Sequence, residues 1–198
     1  MKSDTASSNK RIILAITGAS GAILGIRALE ILKEVGVETH LIISEAAKTT
    51  IAQETGRELK FVVSLASVNY NIHDMGAAIA SGSYVTHGML ILPCSIKTLS
   101  AVANSYSHNL IVRAADVCLK EGRPLILAVR EGPFHGGHLR LMVKANRVGA
   151  IIYPPIPFFY GKPQTLDDLI THTVSRMLVR LGIENPNYPR WGCGTNLS

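Results

Sequence analysis

The chain reads as an α/β protein with a doubly wound, mostly parallel sheet, a Rossmann-like or flavodoxin-like three-layer sandwich. Two observations predict this. Short strands that are apolar on both faces alternate with helical segments, the pattern of a parallel sheet covered on both sides. Three of those strands stop at a small-residue or proline-containing turn that leads into a helix-compatible segment: Ile16–Ala22, Ile91–Ala101 and Arg130–His135. In open α/β sheets such strand ends face one crevice, and ligands bind there.

Arg11 to Thr17 is a β-branched and aliphatic run ending at Gly18, a buried strand. Ser20 is placed to cap the next helix, whose Ile23, Ile26, Leu29, Ile31 and Leu32 form a broad apolar face. Val37 to Ile43 is the next strand, and Ser44 is the expected N-cap of a helix over Glu45 to Thr55. Gly56 to Tyr84 is expected to be irregular, with Ala80-Ser81-Gly82-Ser83 as a flexible loop. A strand at Met89 to Leu92, a helix from about Ser95 and a helix from Leu110 to Glu121 follow. Strand Pro124 to Val129, a helix near Gly137 to Asn146 and strand Val148 to Tyr153 complete the alternation. The last helix, Thr165 to Leu181, opens on Thr165 with Asp167 and Asp168 in its first turn. Tyr153 to Tyr160 is too rich in proline and apolar residues for a solvated loop and is expected to pack, another subunit being one candidate surface.

At 198 residues the chain is expected to form one domain over 11–191, after a polar leader at 1–10 and before a tail at 192–198. The 47% hydrophobic and 17% charged content excludes disorder. No apolar run approaches the roughly 20 residues of a membrane span, and Met1 to Lys10 lacks a signal-peptide core. Cys94, Cys118 and Cys193 are odd in number and show no paired spacing, so reduced thiols and a cytoplasmic location are expected. The net charge of +6 comes from scattered residues without a basic run, which argues against nucleic acid and for an anionic small ligand.

Gly18-Ala19-Ser20-Gly21 allows close backbone approach and offers helix N-terminal amides to an anion. The spacing of Gly18, Gly21 and Gly25 departs from the dinucleotide fingerprint, so a mononucleotide of the FMN type fits it better than NAD. Taken alone, the turn is equally well a tight strand-to-helix connection. Ser95 to Thr98 repeats the theme at the next helix start, where the plain alternative is an N-cap beside a surface lysine. Arg113, Lys120, Arg130 and Arg176 are candidate phosphate ligands, each of which taken singly is more often a surface ion pair. Glu131, directly after a buried strand, is a candidate proton donor or acceptor with desolvation raising its affinity for the proton; the plain reading is an arginine partner. His135 and His138 lack a third metal ligand at a supporting spacing and read as first-turn helix residues. No nucleophile elbow and no Walker lysine are present. Trp191, the single tryptophan, is a packing anchor or a lid over a flat ligand.

In order along the chain, several pieces together resemble the UbiX family of flavin prenyltransferases. They are Thr17 to Ala22, Ala80 to Ser83, Leu92 to Ser100, Arg113 to Val117, Arg130-Glu131 before Pro133, and Phe159-Tyr160 before Pro163-Gln164. The resemblance runs from about Arg11 to Trp191. It implies that Gly18, Ala19, Ser20, Ser44, Ser95, Ile96, Lys97, Thr98 and Arg130 contact FMN. It also implies that Arg113 and Lys120 hold the phosphate of dimethylallyl monophosphate, with Tyr160 and Arg176 coming from a neighbouring subunit. Ser20, Glu54, Glu131 and Trp191 match catalytic positions of the family, no metal is required, and the product serves a separate UbiD-type decarboxylase. A homo-oligomer, a dodecamer by resemblance, is expected. Gly132 stands where relatives carry Ala or Thr, and the tail from Gly192 has no matching pattern. The rival readings are a non-catalytic flavin-carrying subunit of an aromatic acid decarboxylase and an FMN-dependent decarboxylase, for which His73 is the candidate histidine.

Overall fold

The computed structural model describes residues 10–186 and 188–190. Strand β1 (Arg11–Ile16) feeds helix α1 (Ala22–Glu34), and β2 (Glu38–Ile43), α2 (Glu45–Thr55), α3 (Leu59–Ser64) and β3 (Val68–Tyr70) complete a first half. The second half comprises β4 (Met89–Cys94), α4 (Ile96–Ala103), α5 (Leu110–Lys120), β5 (Leu125–Val129), α6 (Gly136–Arg147), β6 (Ile151–Ile152) and α7 (Leu166–Leu178). Single 3₁₀ turns occupy Ala78–Ala80 and Val179–Leu181.

All strands run parallel in the order β3-β2-β1-β4-β5-β6, the Rossmann arrangement of a doubly wound sheet. Alternate residues of each central strand serve opposite faces. Ile13, Met89, Ile91 and Leu127 pack under α4, α5 and α6, while Ile12, Leu14, Leu90 and Ile126 pack under α1, α2, α3 and α7. The strand order reverses between β1 and β4. Their carboxyl ends therefore splay apart and leave a crevice that the following turns line.

Gly25 sets how closely α1 lies on this sheet. A Cβ there would stand 2.6 Å from the Leu92 carbonyl oxygen and 2.9 Å from Ile16 Cδ1. Helix propensity alone favours alanine by about 1 kcal/mol, whereas forcing a methyl against a fixed carbonyl costs about 3 kcal/mol. Gly25→Ala is expected to lose about 2 kcal/mol in a denaturant titration; a variant more stable than wild type would contradict this packing.

Three sequence expectations change. The stretch expected to be irregular contains α3 and β3, both too short and too exposed to carry a periodic signal. Its Ala80–Ser83 loop is tied down: Arg123 donates to the carbonyls of Gly82 (2.6 Å) and Tyr84 (2.9 Å). β6 is confined to Ile151–Ile152, because Val148 and Gly149, the latter at φ 107°, terminate α6 instead of starting a strand. The Thr165 expectation holds, with Asp168 closing a capping box on α7.

β2 carries a buried histidine into this core. His40 Nδ1 lies 2.9 Å from the Tyr70 hydroxyl and Nε2 lies 3.1 Å from Glu38, which also accepts from Arg11 Nε at 3.0 Å. Burial pushes the His40 pKa below its ordinary 6.5, against the pull of Glu38 in the other direction. The unfolded chain therefore takes up a proton below pH 6.5 that the folded chain refuses. Stability is expected to fall as pH drops below that point, by at most about 1.4 kcal/mol per pH unit. Urea midpoints at neutral and mildly acid pH test this, and a flat or rising profile would contradict it.

Candidate active site

Thr17, the first residue after β1, joins the two sides of the crevice. Its buried hydroxyl donates to the Pro93 carbonyl at 2.7 Å and accepts from the Ser95 amide at 2.8 Å. Its own amide donates to Pro93 O at 3.2 Å. The β1–α1 turn and the β4–α4 turn are thus held in register by one side chain. Sequence reasoning assigned Thr17 no role; its only signal was a hydroxyl at the end of an apolar strand.

The β1–α1 turn differs from the expectation. Ser20 does not cap α1, which starts at Gly21 in a left-handed conformation (φ 98°) that glycine adopts without penalty. The amides at the start of α1 are not free for an external anion either. Glu54, reaching across from the last turn of α2, accepts from the Gly21 amide at 2.8 Å and the Ala22 amide at 3.1 Å through one carboxylate oxygen. The nearby Ser20 hydroxyl also favours the ionised form of this carboxylate. Desolvation raises the Glu54 pKa, but these hydrogen bonds and the charge of Arg130 outweigh it and hold the carboxyl below its usual range. The helix macrodipole is thereby matched by an internal anion.

The turns before α2 and α4 are capped by their own serines. Ser44 caps α2 by accepting from the Ala47 amide, and its own amide donates to Ile16 O at 3.0 Å. Ser95 caps α4, with the Thr98 hydroxyl 3.2 Å from its own. Ile96 is half-buried, and Lys97 is exposed on the outer side of α4. Gly18 and Ala19 are exposed enough for a ligand to reach the backbone, and a Cβ on Gly18 would stand 2.3 Å from Ala46 Cβ. Arg130 is tied to the end of β4 by its amide, which donates to Cys94 O at 3.0 Å, and its charge reaches Glu54. Hydroxyls, helix-start amides and one guanidinium around a crevice at the strand switch are the donor set of a phosphorylated, planar ligand.

Glu131 departs from its expectation of desolvation. It is exposed in the single chain, and its carboxylate accepts from the following Gly132 amide at 3.0 Å. His135 caps α6 by accepting from the Gly137 amide at 2.9 Å, and His138 lies in the first turn. Among the described residues no three His, Cys, Asp or Glu side chains gather as metal ligands. His73, in the turn after the outermost strand β3, stands away from the β1–β4 crevice.

The four expected phosphate ligands fall into two pairs on opposite faces of the sheet. Arg113 and Lys120 lie on α5: Arg113 donates to Ala80 O (3.0 Å) and Asp116 (3.3 Å), and Lys120 donates to Glu121 (2.6 Å). Tyr160 and Arg176 line a cleft of about 460 Å³ beside β6 with Tyr153 and Pro154, on the face that α7 covers. The Tyr160 hydroxyl lies 3.0 Å from that of Tyr188, a neighbour sequence reasoning missed because a lone tyrosine in a C-terminal coil carries no pattern. Burial first, then the Tyr160 hydrogen bond, push the Tyr188 hydroxyl up to about 12. Trp191 lies outside the described residues, as does Cys193, whereas Cys94 and Cys118 are buried free thiols. No helix among the described residues is long and apolar enough to cross a membrane.

Residues 1–176 match the Flavoprotein family model. A flavin prenyltransferase UbiX from Salmonella typhimurium is 56% identical over 185 residues, covering 92% of this chain and 98% of that protein. The crystal structure of AnUbiX (PadA1), in complex with FMN and dimethylallyl pyrophosphate, superposes with a TM-score of 0.92 at 44% identity, covering 94% of this chain and all of that one. A dodecameric FMN-dependent UbiX-like decarboxylase from Escherichia coli O157:H7 superposes at 0.88 with 46% identity, covering 91% of this chain and 98% of its own. With such identity across nearly the full length of both partners, the chain belongs to the UbiX family of flavin prenyltransferases, within the flavoproteins.

Proposed function

We propose that the protein joins the dimethylallyl group of dimethylallyl monophosphate to N5 and C6 of reduced FMN and releases phosphate. The observation that supports this most is a second cleft, apart from the serine-rimmed crevice, whose lining includes Arg176 and Tyr160, groups whose chemistry suits a phosphate. A flavin carrier needs one phosphate site; a group transfer between two phosphorylated molecules needs two. The decarboxylase alternative lacks its histidine at the crevice, since His73 lies by β3.

The crevice residues fit FMN by their chemistry. Because Glu54 occupies the start of α1, the flavin phosphate is left to Ser44, Ser95 to Thr98 and Arg130. Gly18, Ala19 and Ser20 then border the ring system, with the Ser20 oxygen facing N5. Reduced flavin supplies the nucleophilic nitrogen and the ring carbon that receive the prenyl unit. Arg113, Lys120, Tyr160 and Arg176 hold the donor phosphate, so that as its carbon–oxygen bond breaks the electron pair leaves onto an oxygen already faced by cations. Protein cations thereby take the part a magnesium ion has with diphosphate donors. Trp191 offers a π-face to the allylic cation. Glu131, with the departing phosphate, moves the protons: the one lost from N5 is passed to the prenyl double bond so that its tertiary carbon can accept C6, and the one lost from C6 leaves with the phosphate.

Arg113 and Lys120 sit on the opposite face of the sheet from Tyr160 and Arg176, so closing all four on one phosphate takes side chains from different chains. A homo-oligomer follows, and the dodecamer of the Escherichia coli relative is the form we assign. Prenylated FMN is then delivered to a UbiD-type decarboxylase in the cytoplasm, where buried Cys94 and Cys118 remain reduced. No nucleic acid is involved. The reading covers one domain over 11–191. Under anaerobic conditions the protein is expected to release inorganic phosphate from dimethylallyl monophosphate with reduced FMN and none with oxidised FMN. Release that ignores the flavin would point to a phosphatase instead.

A further inference from the structure

Arg113 and Lys120 share one face of α5, and the Ala80–Ser83 loop runs along that face in the same direction. Ala80 O accepts from Arg113 Nε at 3.0 Å. Farther along, Gly82 lies so close to Lys120 that a Cβ there would stand 2.8 Å from Nζ. Just past the helix end, Arg123 takes the next carbonyls. Its Nη2 donates to Gly82 O at 2.6 Å, and its Nη1 to Tyr84 O at 2.9 Å and Thr86 Oγ1 at 3.4 Å. The two ends of the loop are fixed differently. Ile79 and Ala80, in the 3₁₀ turn, are buried in the core with α5. Ser81 and Ser83 are exposed, and among the described residues the only donor on Gly82 O is Arg123.

A guanidinium bridges two carbonyls because its N–H groups lie in one rigid plane, whereas an ammonium is a single point of charge. We propose that Arg123 is a positioning residue for the transfer: it pins the Gly82 end of the loop against Lys120 and so keeps that ammonium turned to the donor phosphate. This rests on the reading of Lys120 as a ligand of that phosphate. The lysine side chain is a flexible stem whose ordering costs entropy. Confined between the loop and Glu121, to which it donates at 2.6 Å, Lys120 has few directions left before the donor arrives. Arg123 directs its donors to the loop, so its influence passes through Gly82 to Lys120.

Arg123→Lys keeps the charge and can reach one carbonyl, but it cannot span Gly82 and Tyr84. With reduced FMN saturating, it is expected to lower kcat/KM for dimethylallyl monophosphate about 10- to 100-fold, the cost of a misplaced group near the reacting atoms. KM is expected to rise, and reduced FMN to bind as it does to wild type. A loss of stability alone would reduce the amount of active protein and leave KM where it is. The same substitution in a Lys120→Ala background is expected to cost less than about twofold, because the residue it acts through is already gone. Gly82→Ala approaches the contact from the loop, with Arg123 untouched. Its φ lies outside the left-handed region, and the nearest atoms its Cβ would meet are the ends of Lys120 and Glu121. Those ends yield, so the fold stands while the ammonium moves, and kcat/KM is expected to fall likewise. Wild-type kcat/KM in either variant, or losses that persist in full in the Lys120→Ala background, would overturn the inference. Lys120→Ala with wild-type kcat/KM would instead overturn the phosphate reading on which it rests.

Discussion

Replacing Arg176 by Ala is expected to lower kcat/KM for dimethylallyl monophosphate about 100- to 1,000-fold, the usual loss when a group that stabilises a departing oxyanion is removed. Reduced FMN is expected to bind that variant as it binds wild type, because the Tyr160–Arg176 cleft is separate from the crevice. Lys120→Ala is expected to behave alike, although Lys120 lies on α5, across the sheet. If the phosphate is held between chains, co-assembled Arg176→Ala and Lys120→Ala subunits contain some sites in which both side chains are intact. Mixed oligomers made by unfolding and refolding the two variants together should then regain a measurable fraction of wild-type activity. Mixtures as inactive as their parents would place all four ligands in one chain and contradict the two-chain site.

Thr17→Val carries the second large effect, this time on the scaffold. Valine has the same shape but can neither donate to Pro93 O nor accept from the Ser95 amide, which is left half-buried without this partner. An orphaned buried donor costs about 2 kcal/mol, or ~4–8 °C in Tm for a domain of this size. The consequence extends to binding, since the Ser95–Thr98 turn loses its tie to the Gly18–Ser20 turn. Weaker FMN affinity should accompany the lower Tm, and Thr17→Ser should restore both. A valine variant with wild-type Tm would show that the hydroxyl does not hold the crevice together.

The fold was legible wherever burial is two-sided. β1, β4 and β5 are near-continuous apolar runs, and β2 ends in one at Leu41–Ile43, because helices cover both of their faces, and the capping hydroxyls of Ser44, Ser95 and Thr165 mark the helix starts that follow. β3 and β6 were hidden or misjudged because edge strands of two or three residues need no such run. The three crevice turns were legible as strand-to-helix junctions rich in Gly and Ser. Glu54 was legible only through resemblance: its partners Gly21 and Ala22 lie more than thirty positions away, and nothing local marks it out on α2. Its contact also corrects the simplest reading of the Gly18–Gly21 turn, which offers its amides inward rather than to a ligand. The division of the phosphate ligands between two faces could not be read from spacing at all, because it follows from which side of the sheet α5 and α7 pack on.

The transfer itself is tested most directly by the mass of the flavin. Purified protein is incubated anaerobically with reduced FMN and dimethylallyl monophosphate, and the flavin is extracted and weighed by mass spectrometry. FMN heavier by one five-carbon prenyl unit is the expected product. Tightly bound FMN of unchanged mass would contradict the transferase and leave a flavin carrier in its place.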